Sequence, residues 1–198
     1  MAISRSPFRP LTKQFLARSP VACAKGLVGG ALIWGGKQGL IVETEAYQAV
    51  GDEACHTASR PSARNYIEKH EAGAAYVYMN YGIHWLLNIL VKGGPVAGFV
   101  LIRAVEPQRG LSRMRALRKR ELVTELCSGP GKLTQAFGIT GDDHGTSLLE
   151  GSHRLMLPGS FAAVEVACCP RVGISKAKQL PWRFVLRGNP SVSCPQPW

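Results

Sequence analysis

The stretch IVETEAY, residues 41–47, sets two carboxylates, Glu43 and Glu45, in an apolar run that closes on Tyr47. Read as a strand, its side chains alternate between two faces. Ile41, Glu43, Glu45 and Tyr47 then share one face; Leu40, Val42, Thr44 and Ala46 share the other, which suits a core. Carboxylates two positions apart on a strand stand roughly 6–7 Å apart by backbone rise. Sugar hydrolases with two carboxylates use that separation, and a solvated strand face explains the same pattern. Glu45 is the better candidate for chemistry. It lies nearer the strand end, and a polar segment, 48–72, begins just beyond; sites are commonly built where rigid strands feed loops. Glu43 reads as a bystander.

Other residues stand out against their surroundings. Arg103 sits in the apolar run VLIRAV, where a buried guanidinium needs an acid, and Glu43 or Glu45 is the available partner. Such a pair would hold a carboxylate ionised. Asn88, among apolar neighbours, needs hydrogen bonds. Tyr47, Tyr76, Tyr78, Tyr81 and Trp85 lie on runs that can neighbour one another. Sheet packing accounts for Tyr76 and Trp85. It accounts poorly for Tyr81, which follows Asn80 at a hairpin tip and suits insertion into a base stack. His56, in the polar segment, reads by itself as an exposed or satisfied histidine. SGPGKL, 128–133, has glycines that let backbone approach a phosphate and a charge on Lys132, without Walker-loop spacing. The arginine-rich run 112–120 before it is either a solvated face or a contact for a nucleic-acid backbone.

The whole chain carries the same sign. Lysine and arginine number 24 against 13 acids, a formal net charge of +11 over 198 residues. That excess points to a polyanion, nucleic acid before an acidic membrane surface. At 45% hydrophobic residues the chain can bury a core, and its length suits one domain, 1–198. The longest apolar run, 85–91, is interrupted by Asn88 and followed by Lys92 and Gly93, too short for a membrane span. The N-terminus has no continuous apolar segment of signal-peptide type, so a cytoplasmic location is expected. Six cysteines include no C-x-x-C, and Cys55-His56 has no second pair at zinc-like spacing. Reduced thiols and no metal are expected.

These residues need elements to position them. The expected order begins with an irregular arm over 1–10 and a helix from Thr12 to Lys25 interrupted near Pro20. Two strands, LVGGALIW and GLIVETEAY, flank the turn 35–39. Residues 48–72 read as a long loop with one helical turn. A hairpin over 75–91 places Tyr81 at its tip. A strand over 99–107 ends at Pro107, and a basic helix and a second helix after SGPGKL follow. Strand-like runs lie at 155–157, 161–168 and 182–187. Strands and helices mixed without βαβ alternation predict an α+β fold.

Taken together, VETEAY with His56 eleven residues after Glu45, AYVYMNYGIHWLLN, LIRAVEP, SGPGKL, RVGI and PWRFVLRG resemble the alkyladenine (3-methyladenine) DNA glycosylase family, in that family's order. The resemblance covers nearly the whole chain from about residue 10. It implies one compact α+β domain with a curved antiparallel sheet and a protruding hairpin. It implies a monofunctional, cofactor-free and metal-free enzyme, acting as a monomer on double-stranded DNA in the cytoplasm, at the nucleoid or in a nucleus. That enzyme would flip a damaged purine out of the duplex and hydrolyse its N-glycosidic bond. On the same resemblance Glu45 is the base that activates water, Arg103 sits beside it, and the carbonyl of Val172 helps hold the water. Tyr47, His56 and Tyr78 form the base pocket with Asn88 as steric gate. Tyr81 is the wedge with Ile83 next to it, and Lys132 holds phosphate. A cationic alkylated purine would also be drawn to the tyrosine faces. The chain departs from the family pattern at YIEKHEA, 66–72, where many members carry a proline-rich loop, and at Ser62-Ala63-Arg64-Asn65, which leaves the DNA contacts of this stretch open. Two alternatives stand beside this reading: a lesion-binding protein without chemistry, and a sugar O-glycosidase using Glu43 and Glu45.

Overall fold

A computed structural model describes residues 7–93, 96–160 and 164–196. The first six residues of the expected arm, and 161–163 of the expected strand 161–168, lie outside these. Nine strands form one sheet among the described residues, and every pairing between them is antiparallel. They are β1 (Phe8–Pro10), β2 (Ala31–Trp34), β3 (Lys37–Gln48), β4 (Ala75–Asn80), β5 (His84–Val91), β6 (Gly98–Arg109), β7 (His153–Pro158), β8 (Val166–Cys169) and β9 (Arg183–Leu186). The order is β1-β7-β2-β3-β6-β5-β4, with β9 joined to β3 and β8 to β9. Among the described residues seven α-helices accompany them, α1 (Lys13–Leu16), α2 (Pro20–Leu27), α3 (His56–Ser59), α4 (Pro61–Lys69), α5 (Leu111–Arg118), α6 (Val123–Leu126) and α7 (Pro130–Phe137), with one 3-10 turn at Gly141–Asp143. The fold is α+β, as the mixed pattern predicts.

The strand that carries the two glutamates is the hub. Its first half pairs with β2 through a two-residue turn in which Gly35 (φ 52°) and Gly36 (φ 82°) are both left-handed, the geometry that matches strand twist. Its second half takes β9 on that side, and β6 runs along the other. Register shifts between Ile41 and Thr44 break the strict alternation. Ile41 and Ala46 therefore both enter the main core, while Val42 packs with Val185 and Val192 on the opposite side, beside Glu43. The expected grouping of Ile41 with the glutamates fails at this bulge.

Other boundaries differ from expectation for identifiable reasons. Phe8–Pro10 is a strand, because it pairs with Pro158–Met156 of β7. The interrupted helix is two helices, capped by Thr12 and by Ser19, whose hydroxyl oxygens accept from Phe15 N–H and Ala22 N–H. Thr44 pins α2 to the sheet by donating to the Ala24 carbonyl at 2.8 Å. Residues 48–72 hold α3 and α4 in place of a long loop. Pro61 opens α4 at a position where its ring is pre-set for a helix. Tyr66 then anchors it, donating to the Ala75 carbonyl at 2.7 Å and stacking on His70. YIEKHEA is thus largely helix with a buried first residue. β6 does not end at Pro107, which lies next to a register shift where proline is tolerated. The basic helix stops at Arg118 because Lys119 is left-handed, φ 52°. The glycine of SGPGKL at 131 has a packing duty: a Cβ there would lie 2.8 Å from the His84 ring, so Gly131 lets α7 close on β5.

The main core lies between one face of the sheet and helices α2 and α7, and includes Leu27, Ile41, Leu87, Ile102, Leu133 and Phe137. A separate aromatic cluster, Tyr66, Tyr76 and Phe99 with Cys55, backs the far end of the sheet. No helix among the described residues is long and apolar enough to cross a membrane.

Candidate active site

Glu43 and Glu45 are both fully buried, which excludes the solvated-face explanation. Glu43 is saturated. Its Oε1 accepts from Arg103 Nε (2.8 Å), Arg183 Nε (2.7 Å) and Ser193 Oγ (2.9 Å), and its Oε2 accepts from Ser193 N–H (2.7 Å). Four donors from the fold tie this carboxylate to two buried guanidiniums and Ser193, a structural engagement that does not match the paired-carboxylate O-glycosidase arrangement. Glu43 is instead the anion that fixes two buried guanidiniums.

Glu45 is held more loosely. Oε2 accepts from the Tyr47 hydroxyl at 2.7 Å, and Oε1 from Val172 N–H at 2.8 Å. Arg103 Nη1 stands 3.4 Å from the same Oε1. An ionised carboxylate offers roughly four lone-pair sites, so these partners leave one on Oε2. Burial raises the Glu45 pKa above its ordinary value; Arg103, Val172 N–H and the Tyr47 hydroxyl oppose the rise, and Glu43 adds to it. The arginine expected to keep a carboxylate ionised is therefore present, but desolvation outweighs it. Burial, then Glu45 itself, pushes the Tyr47 phenol well up, so Tyr47 is a neutral donor.

A cavity of about 470 Å³ lies in front of these groups, within the range of small-molecule sites. Tyr47, Arg103 and Val172, the three partners of Glu45, line it together with His56, Tyr78 and Asn88. Glu45 is not itself on the lining; its carboxylate sits one layer behind. His56 Nδ1 lies 3.2 Å from the Tyr76 hydroxyl, and its ring stands edge-on to Tyr78 at 4.3 Å. Burial, with Arg60 nearby, lowers its pKa to about 4, so the imidazole is neutral near pH 7. It is a half-buried wall of the cavity, the satisfied one of the two histidines its own sequence context allows. Asn88 donates from Nδ2 to the Tyr76 carbonyl at 3.1 Å, which satisfies the expected need. The Val172 carbonyl lies 3.5 Å from Arg103 Nη1.

β4 and β5 form an antiparallel pair whose turn ends at the cavity mouth. Tyr81 lines the mouth and is 86% exposed; Ile83, 71% exposed, flanks it without lining the cavity. Tyr81 has φ 51° and Gly82 φ 70°, with Ile83 N–H donating to the Asn80 carbonyl at 3.1 Å. A left-handed tyrosine costs on the order of 1 kcal/mol that glycine would not. Tyr81→Gly is accordingly expected to stabilise the fold by about 0.5–1 kcal/mol, read as a higher midpoint in urea. A strained and exposed ring is kept for something other than stability. Lys132 is also exposed, 3.4 Å from Ser128 Oγ at the start of α7, whose Pro130 lines the cavity.

Sequence reasoning missed several residues that hold the site. Arg171 and Asp52 form a bidentate pair at 2.6 and 2.8 Å, with both side chains fully buried. Arg183 and Ser193 complete the Glu43 cluster. Arg171 directly precedes Val172 in RVGI, the one signal that could have marked it; Ser193 lies 150 residues from Glu43, and nothing local marks it.

With this geometry in view, the chain's likeness to known proteins can be placed. Residues 14–190 match the model of the methylpurine-DNA glycosylase family. A Rhodopseudomonas palustris protein is 45% identical over 185 residues, covering 93% of this chain and 91% of the relative. One from Nitrosospira multiformis is 44% identical, covering 89% and 90%, and one from Prosthecochloris aestuarii is 40% identical, covering 93% and 91%. All three are provisionally named 3-methyladenine DNA glycosylases. The chain belongs to the methylpurine-DNA glycosylase family and is a DNA glycosylase, a hydrolase.

Proposed function

We propose that this single-domain protein acts as a monomer, excising damaged purines from duplex DNA by turning the nucleotide into the aromatic cavity and attacking its sugar carbon with a water activated by Glu45. The observation that carries the reading is the position of Glu45, a buried carboxylate with one free lone-pair site, directly behind a purine-sized cavity whose mouth carries an exposed tyrosine. Tyr47, His56 and Tyr78 would flank the everted base, with Asn88 crowding unmodified purines. Tyr81, with Ile83 beside it, would fill the gap left in the stack. Lys132 at the start of α7 would contact a phosphate, within the field of a chain carrying +11.

In the chemical step positive charge grows on the sugar as the bond to the base weakens. Anionic Glu45 stabilises that charge and takes a proton from the water whose oxygen bonds to the sugar carbon, while the base leaves with the electron pair of the broken bond, neutral from a cationic lesion and gaining a proton from solvent when the lesion is neutral. The Val172 carbonyl would accept from the same water, and Arg103 would keep both in place. No amine nucleophile is required, so the product is a free base and an intact abasic strand. Duplexes each carrying a single 3-methyladenine, 7-methylguanine, hypoxanthine or ethenoadenine test this directly. Free purine without strand cleavage is expected from at least one; release from none would end the proposal. In the same assay Tyr81→Gly should lose excision despite its gain in stability.

The Tyr47 hydroxyl has a second duty on this reading. Its hydrogen bond favours charged Glu45, so Tyr47→Phe should raise the Glu45 pKa further. Because the anion is the active form, the acidic limb of the single-turnover rate profile should move to higher pH. The variant would then be most impaired at low pH and approach its own plateau on the alkaline side. An unmoved limb would remove the hydroxyl from this role.

A further inference from the structure

Against the Tyr47 ring, and off the cavity lining, lies a charge that the chemistry above does not use. Arg171 is fully buried and is not on the cavity lining, yet its central carbon lies 4.6 Å from the centre of the Tyr47 ring, which is on it. Its other ring neighbour is Trp182, at 5.3 Å. Arg171 Nη1 and Nη2 take both oxygens of Asp52, and Nη1 also donates to the Ala46 carbonyl at 2.8 Å. Among the described residues Nε has no hydrogen-bond partner, which leaves this edge of the cation without local compensation. Asp52 in turn accepts from Gln48 N–H and Ala54 N–H, tying down the segment that leads into His56.

An aromatic ring attracts a cation through the negative charge density on its faces. A guanidinium fixed against the back of Tyr47 draws on that density and adds its own repulsion to any positive charge at the front. Asp52 cancels most of the far field of the pair, but the guanidinium is the end that meets the ring. The front of Tyr47 is thereby a good stacking platform and a poor cation receptor. Among the other tyrosines on the lining, Tyr78 has Arg60 within 5.9 Å of its ring centre, and Arg60 lies on the cavity wall, where solvent screens it.

We infer that the Asp52–Arg171 pair is a specificity-determining element, which sets the preference between cationic and neutral purines by holding a fixed positive charge against the back of Tyr47. The inference rests on the glycosylase reading and deepens it. It reverses the expectation that both tyrosine faces favour cationic lesions. The pocket pays for tolerance of neutral bases with weaker capture of charged ones.

The test is the ratio of single-turnover excision rates for 7-methylguanine, a cation, and hypoxanthine, which is neutral, each in the same duplex. A double variant, Asp52→Asn with Arg171→Gln, removes both charges and keeps a hydrogen-bonding pair. Its ratio of cationic to neutral excision should rise about tenfold over wild type, the scale of one cation–π contact. Asp52→Asn alone leaves the cation uncompensated, and its ratio should fall, so the sign can be read even if the double variant does not fold. Arg171→Lys keeps the charge but loses the bidentate geometry; both rates should drop with the ratio held near wild type. A role confined to scaffolding would lower both rates together in every variant, and unchanged ratios in the double variant or in Asp52→Asn overturn the inference. If the wild-type protein releases neither base, the glycosylase reading itself falls and takes this one with it. If it releases both, the ratios judge the inference alone.

Discussion

Glu45→Gln is expected to lower single-turnover excision by about 10³-fold or more while leaving affinity for damaged duplex within about threefold of wild type. Proton removal by a positioned base contributes roughly 10²–10⁴-fold, and loss of a fixed anion beside a developing positive charge adds to it. The substitution is mild for the fold. A glutamine oxygen can still accept from Val172 N–H, which now donates to Oε1 at 2.8 Å. Its amide can donate to the Tyr47 oxygen, reversing the present bond at 2.7 Å. Arg103 keeps Glu43 as its main partner through Nε. The loss would therefore be chemical, with binding and melting temperature preserved, and gel-shift, thermal-melt and base-release measurements on one preparation separate these. Excision near the wild-type rate would remove Glu45 from the mechanism.

Glu43→Ala should be the most damaging change to the fold. It strips one anion from two buried guanidiniums and from the Ser193 N–H and hydroxyl. Breaking a buried pair from one side costs about 3–5 kcal/mol, because an uncompensated charge stays behind. Domains of this size hold only about 5–15 kcal/mol in total. Denaturant unfolding followed by circular dichroism should thus show a midpoint far below wild type, or no folded baseline. Any folded fraction should also excise poorly, since Arg103 would lose the contact that aims Nη1 at Glu45. Glu43→Gln, which retains an acceptor, should fall between the two. A Glu43→Ala protein as stable as wild type would contradict the arrangement around residue 43.

The contrast between these adjacent acids shows what sequence can reveal. Two carboxylates on a strand, an arginine in an apolar run and a tyrosine before a turn glycine are local anomalies, and each lies at the site. Position in the strand marks Glu45 as the candidate for chemistry, but it gives no sign that Glu43 ties two guanidiniums and Ser193 together, which is far from a bystander's part. The difference depends on Arg183 and Ser193, which approach Glu43 from 140 and 150 residues away. No periodicity encodes such a meeting. Asp52 and Arg171 are likewise separated by 119 residues. The helices within 48–72 were hidden for another reason. Their buried faces are narrow, with Ala63 and Tyr66 the buried positions of α4, so polar composition masks the period. Pro61 was the available signal. The bulge in β3 was invisible because an inserted residue leaves the composition of a strand unchanged while reversing its phase.

The contact of Ser193 with Glu43 also bears on how the protein is made. Residue 193 lies beyond the 14–190 span that matches the family, and it is translated 150 residues after the acid it binds. Until it emerges from the ribosome, Glu43 lacks the Ser193 N–H and hydroxyl, and the cluster around Arg103 and Arg183 is incomplete. Such distant closure favours late, slow completion during folding, and it sets the finishing of this charged cluster after all nine strands of the described sheet have been synthesised.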